Sequence, residues 1–201
     1  MSRNLGRHPE PPHDLSSLGP LFKELSKGNV LYRICGASHP TLFYGKTGSG
    51  RFDALDNSYG VMYAGLDVYA CFIETFGHKT GVRFVTKKAL EARTLYRFTL
   101  TSNLSLVDLA STGGLAKIGA DARLFSGSHP LSQRWGTALH GYPSKPDGIL
   151  YPARHDASRL ACALFDHTST DFAAECLGSL VDPPNTSELA AILRTYNFGL
   201  I

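Results

Sequence analysis

The sequence predicts one α+β domain, a twisted mixed or antiparallel sheet with flanking helices. Three observations point to it: a length of 201 residues with 43% hydrophobic and 18% charged residues, short apolar runs of strand length, and intervening stretches of helical period in irregular alternation. That length suits one buried core, and no internal repeat divides it. The expected division is a flexible arm over residues 1–18, where Pro9, Pro11 and Pro12 leave little to pack, or else a surface-hugging lead-in, followed by the folded domain over 19–201.

The elements follow in order. Pro20 to Leu25 places apolar residues at helical spacing before Gly28, so a short helix is expected there, then a strand over Val30–Ile34 carrying Arg33. Residues 36–59, rich in Gly, Ser, Thr, Asp and Asn, read as a long irregular loop holding Arg51. Val61–Ala64 is a strand, and Asp67 is placed to cap a helix that runs to Phe76 and stops at Gly77, with Glu74 beside its apolar stripe. Further expectations are a helix over 86–92, strands over 94–100 and 104–109, and a helix over 130–140 with the single tryptophan, Trp135. Strands over 147–151 and 160–165, a helix over 186–195 and a terminal strand over 198–201 complete the reading.

Composition narrows the function. Twenty basic against 17 acidic residues, spread along the chain, form no basic block for a nucleic-acid backbone. No stretch reaches the ~18 apolar residues of a membrane span, so a cytoplasmic protein without a membrane or direct nucleic-acid partner is expected. The four cysteines lack Cys-x-x-Cys or Cys/His spacing, which argues for reduced thiols and against bound metal. Gly45-Lys46-Thr47 is no phosphate loop, because Pro40 stands where the first glycine is needed, and the third glycine of a dinucleotide fingerprint is missing.

Four polar residues fall where an apolar setting makes them costly: Arg33, Arg51, Tyr63 and Glu74. A structural Arg-Glu pair is one explanation and a functional site the other. Leu31-Tyr32-Arg33, Gly50-Arg51-Phe52-Asp53, Gly60 to Ala64, Ala70 to Glu74, and Asp147 to Tyr151 with Leu164-Phe165 resemble, in order, the blocks of the RES domain over residues 29–167. That family is named for an arginine, a glutamate and a serine, and its members include the toxins of Xre-RES toxin-antitoxin pairs.

The resemblance implies a fold like the catalytic core of ADP-ribosyltransferases and an enzyme that breaks the nicotinamide-ribose bond of NAD by phosphorolysis or hydrolysis. NAD is then a substrate, inorganic phosphate a candidate co-substrate, and no resident cofactor is expected. An Xre-like antitoxin is the implied partner; a homo-oligomer stays open. Arg33 and Arg51 would hold pyrophosphate or phosphate, and Glu74 would stabilise the oxocarbenium-like ribose. Tyr63 would stack on nicotinamide or bond the ribose, and Tyr32, Phe52, Tyr151, Arg154 and His155 complete the NAD-contacting set. The family serine has no match: Ala153 stands in its register, so either Ser158 takes the place through a shifted loop or Arg154 or His155 supplies the contact. Transfer of ADP-ribose to a macromolecule and a non-catalytic nucleotide-binding module are the competing readings.

Overall fold

A computed structural model describes residues 10–79 and 81–201. Eight strands form one sheet in the order β1-β6-β7-β8-β3-β2-β5-β9. In chain order these are β1 (Phe22–Leu25), β2 (Val30–Gly36), β3 (Val61–Gly65), β5 (Arg93–Leu100), β6 (Leu104–Asp108), β7 (Gly148–Ala153), β8 (Asp156–Phe165) and β9 (Phe172–Gly178). Neighbours are antiparallel except β6 and β7, so the sheet is mixed, as expected. A two-stranded parallel ribbon joins β4 (Phe84–Val85) to β10 (Gly199–Leu200).

The pleat assigns each strand residue to a face. On one face Val61, Ile149, Tyr151, Ala163 and Phe165 pack with Trp135, Leu139, Ile118 and Leu124. Trp135 and Leu139 belong to α5 (His129–His140), Leu124 to α4 (Arg123–Ser126), and Ile118 closes α3 (Gly114–Lys117) as its C-cap. Farther along, Ile34 and Leu95 meet Val68 and Phe72 of α1 (Val68–Phe76) and Leu189 and Ile192 of α6 (Thr186–Tyr196). The opposite face gathers Leu31, Met62, Phe98, Leu106, Leu150 and Leu164, with Leu42 and Tyr44 of the 37–60 loop laid against them. A short helix, α2 (Lys87–Glu91), is capped by Thr86, whose hydroxyl accepts the Ala89 N–H at 3.0 Å.

Two expectations change here. Residues 20–25 are not helical: Phe22–Leu25 pair with β6 as an edge strand, because the ladder groups of β6 need partners and only Leu25 of this segment is buried. Strand β9 was not foreseen; its Ala-rich, mostly exposed sequence carries no strand pattern, and pairing with β5 creates it. The first nine residues of the expected arm lie outside the described ones. The remainder is a docked lead-in: Leu15 enters the core, Glu10 pairs with Arg134, and Leu18 O accepts the Tyr142 hydroxyl at 2.8 Å. Among the described residues no helix is long and apolar enough to cross a membrane.

His140, closing α5, stacks on Tyr59 with centroids 4.0 Å apart and meets Phe165 edge-on at 4.8 Å. Burial, reinforced by His167, holds its imidazole pKa below the ordinary value. The unfolded chain therefore binds this proton more readily, so stability is full above the unfolded value of about 6.5 and is lost as pH falls from there toward the folded value. Urea midpoints should drop between about pH 7.5 and about pH 5.5, and His140→Phe, which keeps the ring, should flatten that drop; an unchanged slope would assign the acid sensitivity to other groups.

Candidate active site

Strands β2 and β3 are neighbours that meet at one register pair, Tyr32 with Gly65, whereas β3 pairs with β8 along all five of its residues. Beyond that pair the two strands part, and a cavity of about 250 Å³ opens between them. Its walls include Arg33 and Ile34 of β2, Tyr63 to Gly65 of β3, and Tyr151 of β7. Helix α1 supplies Ala70, Cys71, Glu74 and Thr75, which share one face through their four-residue spacing. The helix lies close because β3 ends in Gly65, where a Cβ would come within 2.8 Å of Cys71 Sγ, and because Asp67 Oδ1 caps it by accepting the Ala70 N–H at 2.7 Å. His78 and His129 stand at the rim.

Ser49, Gly50 and Arg51 form the remaining wall, and a dense set of bonds fixes them. The Tyr63 hydroxyl donates to Asp53 Oδ1 at 2.8 Å and accepts the Phe52 N–H at 2.8 Å, while Asp53 Oδ2 accepts the Gly50 N–H at 2.9 Å. From α5, Gln133 Nε2 donates to Gly48 O at 2.6 Å and Gly50 O at 2.9 Å. His129 Nδ1 lies 3.0 Å from Ser49 O; the carbonyl only accepts, so Nδ1 carries the proton. Gly136 lets the loop touch α5, since a Cβ there would lie 2.7 Å from Phe52 O.

The charges are arranged unusually. Arg51 is 8% exposed, yet its Nη1 donates only to neutral groups, Gly127 O at 2.8 Å and Ser132 Oγ at 3.4 Å. Arg33 Nη1 donates to Phe43 O at 2.8 Å. Neither arginine forms an ion pair with a carboxylate among the described residues, and burial pulls both guanidinium pKa values below the ordinary one. Glu74 Oε1 instead accepts the Arg154 N–H at 2.7 Å. The structural Arg-Glu pair that the sequence left open is therefore not formed. Burial, with Glu74 opposing it, also lowers the His78 pKa.

Of the residues expected from sequence, Arg33, Arg51, Tyr63, Glu74 and Tyr151 come together around this cavity, and five others do not line it. Tyr32 faces the cluster under α1 and α6, and its carbonyl accepts the Cys71 thiol. Phe52 is fully buried behind the wall, edge-on to Tyr151 at 5.1 Å, so it supports a wall rather than forming one. The Tyr63 hydroxyl gives its proton to Asp53 and accepts the Phe52 N–H, so it has no proton left to donate to a ribose. Ser158 is exposed and donates to Asp156 Oδ1 at 2.6 Å, a local turn that keeps it off the cavity. At this corner Ala153 is buried, and the Arg154 backbone, not its exposed side chain, makes the polar contact to Glu74; His155 Nε2 is buried without a hydrogen-bond partner. Sequence reading gave no role to Asp53, Gln133, Ser132 or His129. Only Asp53 left a signal, as part of the Gly50-Arg51-Phe52-Asp53 block.

Fold and site thus define a mixed-sheet α+β protein with an arginine- and glutamate-lined cleft between parted strands. The chain belongs to the RES domain family, whose model matches residues 30–184. It is 34% identical over 99 residues to "Probable toxin y4kH" of Sinorhizobium fredii (strain NBRC 101917 / NGR234), a match covering 49% of this chain and 75% of that protein. Its fold is similar to that in the crystal structure of the M. tuberculosis MbcT-MbcA toxin-antitoxin complex, with a TM-score of 0.55 and 20% identity over 84% of this chain and 92% of that one.

Tyr63→Phe should cost about 1–3 kcal/mol in urea unfolding, because Asp53 and the Phe52 N–H lose their shared partner, and should speed amide exchange in residues 48–53. Wild-type stability and exchange would show that the hydroxyl does not hold the loop.

Proposed function

We propose that this chain is an NAD-degrading toxin that breaks the bond between nicotinamide and ribose and is restrained by an antitoxin partner. The observation that carries the reading is the buried Arg51 facing Glu74 across one cavity without pairing with it. A buried guanidinium lacking a carboxylate is costly, and an anionic ligand removes that cost. The pyrophosphate of NAD, or an incoming inorganic phosphate, matches the planar donors of Arg51 and Arg33. The nicotinamide-side ribose then reaches Glu74, whose carboxylate stabilises the positive charge that grows on the sugar as nicotinamide leaves with the bonding electrons. Water or phosphate completes the reaction at the same carbon. Tyr63 contributes a ring to the wall and fixes the loop that carries Arg51.

The names of its relatives support the biological role: one is called a probable toxin, and another is a toxin solved with its antitoxin. Ala153 in place of the family serine bears on rate and on the choice of acceptor. It does not remove the carboxylate or the arginines.

Purified protein mixed with NAD should release nicotinamide, and added inorganic phosphate should raise the rate if the reaction is phosphorolysis. Glu74→Ala should lower the rate about 10²–10³-fold while leaving the circular dichroism spectrum unchanged, and Arg51→Lys should lose at least about tenfold. Absence of release with and without phosphate would reject the reading. Mass spectrometry of added macromolecules separates cleavage from ADP-ribosyl transfer, which alone leaves them modified.

A further inference from the structure

Tyr151 is 3% exposed and lines the cavity beside Glu74 and Arg51, its ring held edge-on by Phe52 at 5.1 Å. Its hydroxyl has no hydrogen-bond partner among the described residues. Three other tyrosines nearby have one: Tyr63 bonds Asp53, Tyr59 donates to Phe52 O at 3.1 Å, and Tyr44 bonds Thr168 Oγ1 at 3.0 Å. The hydroxyl is not sealed off inside the protein, so its bonding capacity is left for something that enters the cavity.

The neighbouring groups define what that something is. Glu74, when ionised, only accepts hydrogen bonds, and Arg51 only donates them. Burial, and after it the charge of Glu74, holds the Tyr151 pKa well above its ordinary value, so the phenol keeps its proton and acts as a donor. A substrate group that can take a hydrogen bond from a phenol and give one to a carboxylate at the same oxygen is a hydroxyl.

We propose that Tyr151 and Glu74 together recognise a hydroxyl of the sugar being cleaved: the phenol donates to that oxygen, and the hydroxyl donates onward to the carboxylate. This rests on the NAD reading above and makes the site selective for a ribose over a deoxyribose. A site built to bond a hydroxyl discriminates strongly against an analogue lacking it, because its buried polar groups are then left unpaired.

The test compares wild type with Tyr151→Phe, which keeps the ring. Without ligand the variant should melt at or above the wild-type temperature, because no internal bond is lost; a clearly lower Tm would reveal a structural partner and overturn the proposal. With NAD the variant should lose about 10–100-fold in kcat/KM. With NAD deoxygenated at the 2′ position of the nicotinamide ribose, and in parallel at the 3′ position, wild type should be slow on one of the two. On that analogue Tyr151→Phe should add little further loss. Unchanged turnover of NAD by the variant, or a full further loss on both analogues, would contradict it. If wild type releases no nicotinamide, the NAD reading fails by itself, and ribose 5-phosphate binding then decides: weaker binding by the variant supports hydroxyl recognition, and equal binding, or no binding by wild type, overturns it.

Discussion

The site depends on the separation of β2 from β3. Two neighbouring strands of one sheet ordinarily close on each other through a continuous ladder, yet these share a single pair, Tyr32 with Gly65. The unpaired backbone that follows opens a cleft whose sides are already furnished: Arg33 from one strand, Tyr63 from the other, and α1 crossing above with Glu74. The close approach at Gly65 and the Asp67 cap set where α1 begins, and so how far along the cleft Glu74 falls. A residue with a side chain at position 65 would push α1 away from the sheet and take the carboxylate with it.

Electrostatics and loop architecture are joined at Arg51. Its segment has no regular structure, so side chains must fix it, and they come from both directions: Tyr63 and Asp53 beneath, Gln133 and His129 from α5. This clamp keeps a guanidinium buried against neutral partners, Gly127 O and Ser132. A guanidinium held against neutral partners differs from an internal ion pair, in which arginine and glutamate would have closed on each other, and it is this arrangement that the proposed anionic ligand would complete.

Much of this could be read from the chain because it is encoded locally. Asp67 and Gly77 bracket α1, short apolar runs mark β2, β3 and β8, and polar residues in apolar settings singled out Arg33, Arg51, Tyr63 and Glu74. What could not be read depends on partners far away in sequence. The segment Phe22–Leu25 becomes a strand only because β6 offers an open ladder, and β9 exists only beside β5. Phe52 next to Arg51 looked like a site wall, but Gly136, 84 positions on, draws that part of the loop into the core. Ser158 had the right chemistry near the right block; Asp156, two residues before it, takes its hydroxyl. Gln133 and Ser132 sit on a helix whose inward face cannot be known until the loop is seen lying on it.

The most direct measurement is a crystal structure of Glu74→Gln, slowed in turnover, soaked with NAD. The pyrophosphate should lie within hydrogen-bond reach of Arg51 and the nicotinamide-side ribose against residue 74, between the parted strands. Nucleotide bound elsewhere, or NAD in this cleft with its adenine end at residue 74 and no phosphate near Arg51, would contradict it.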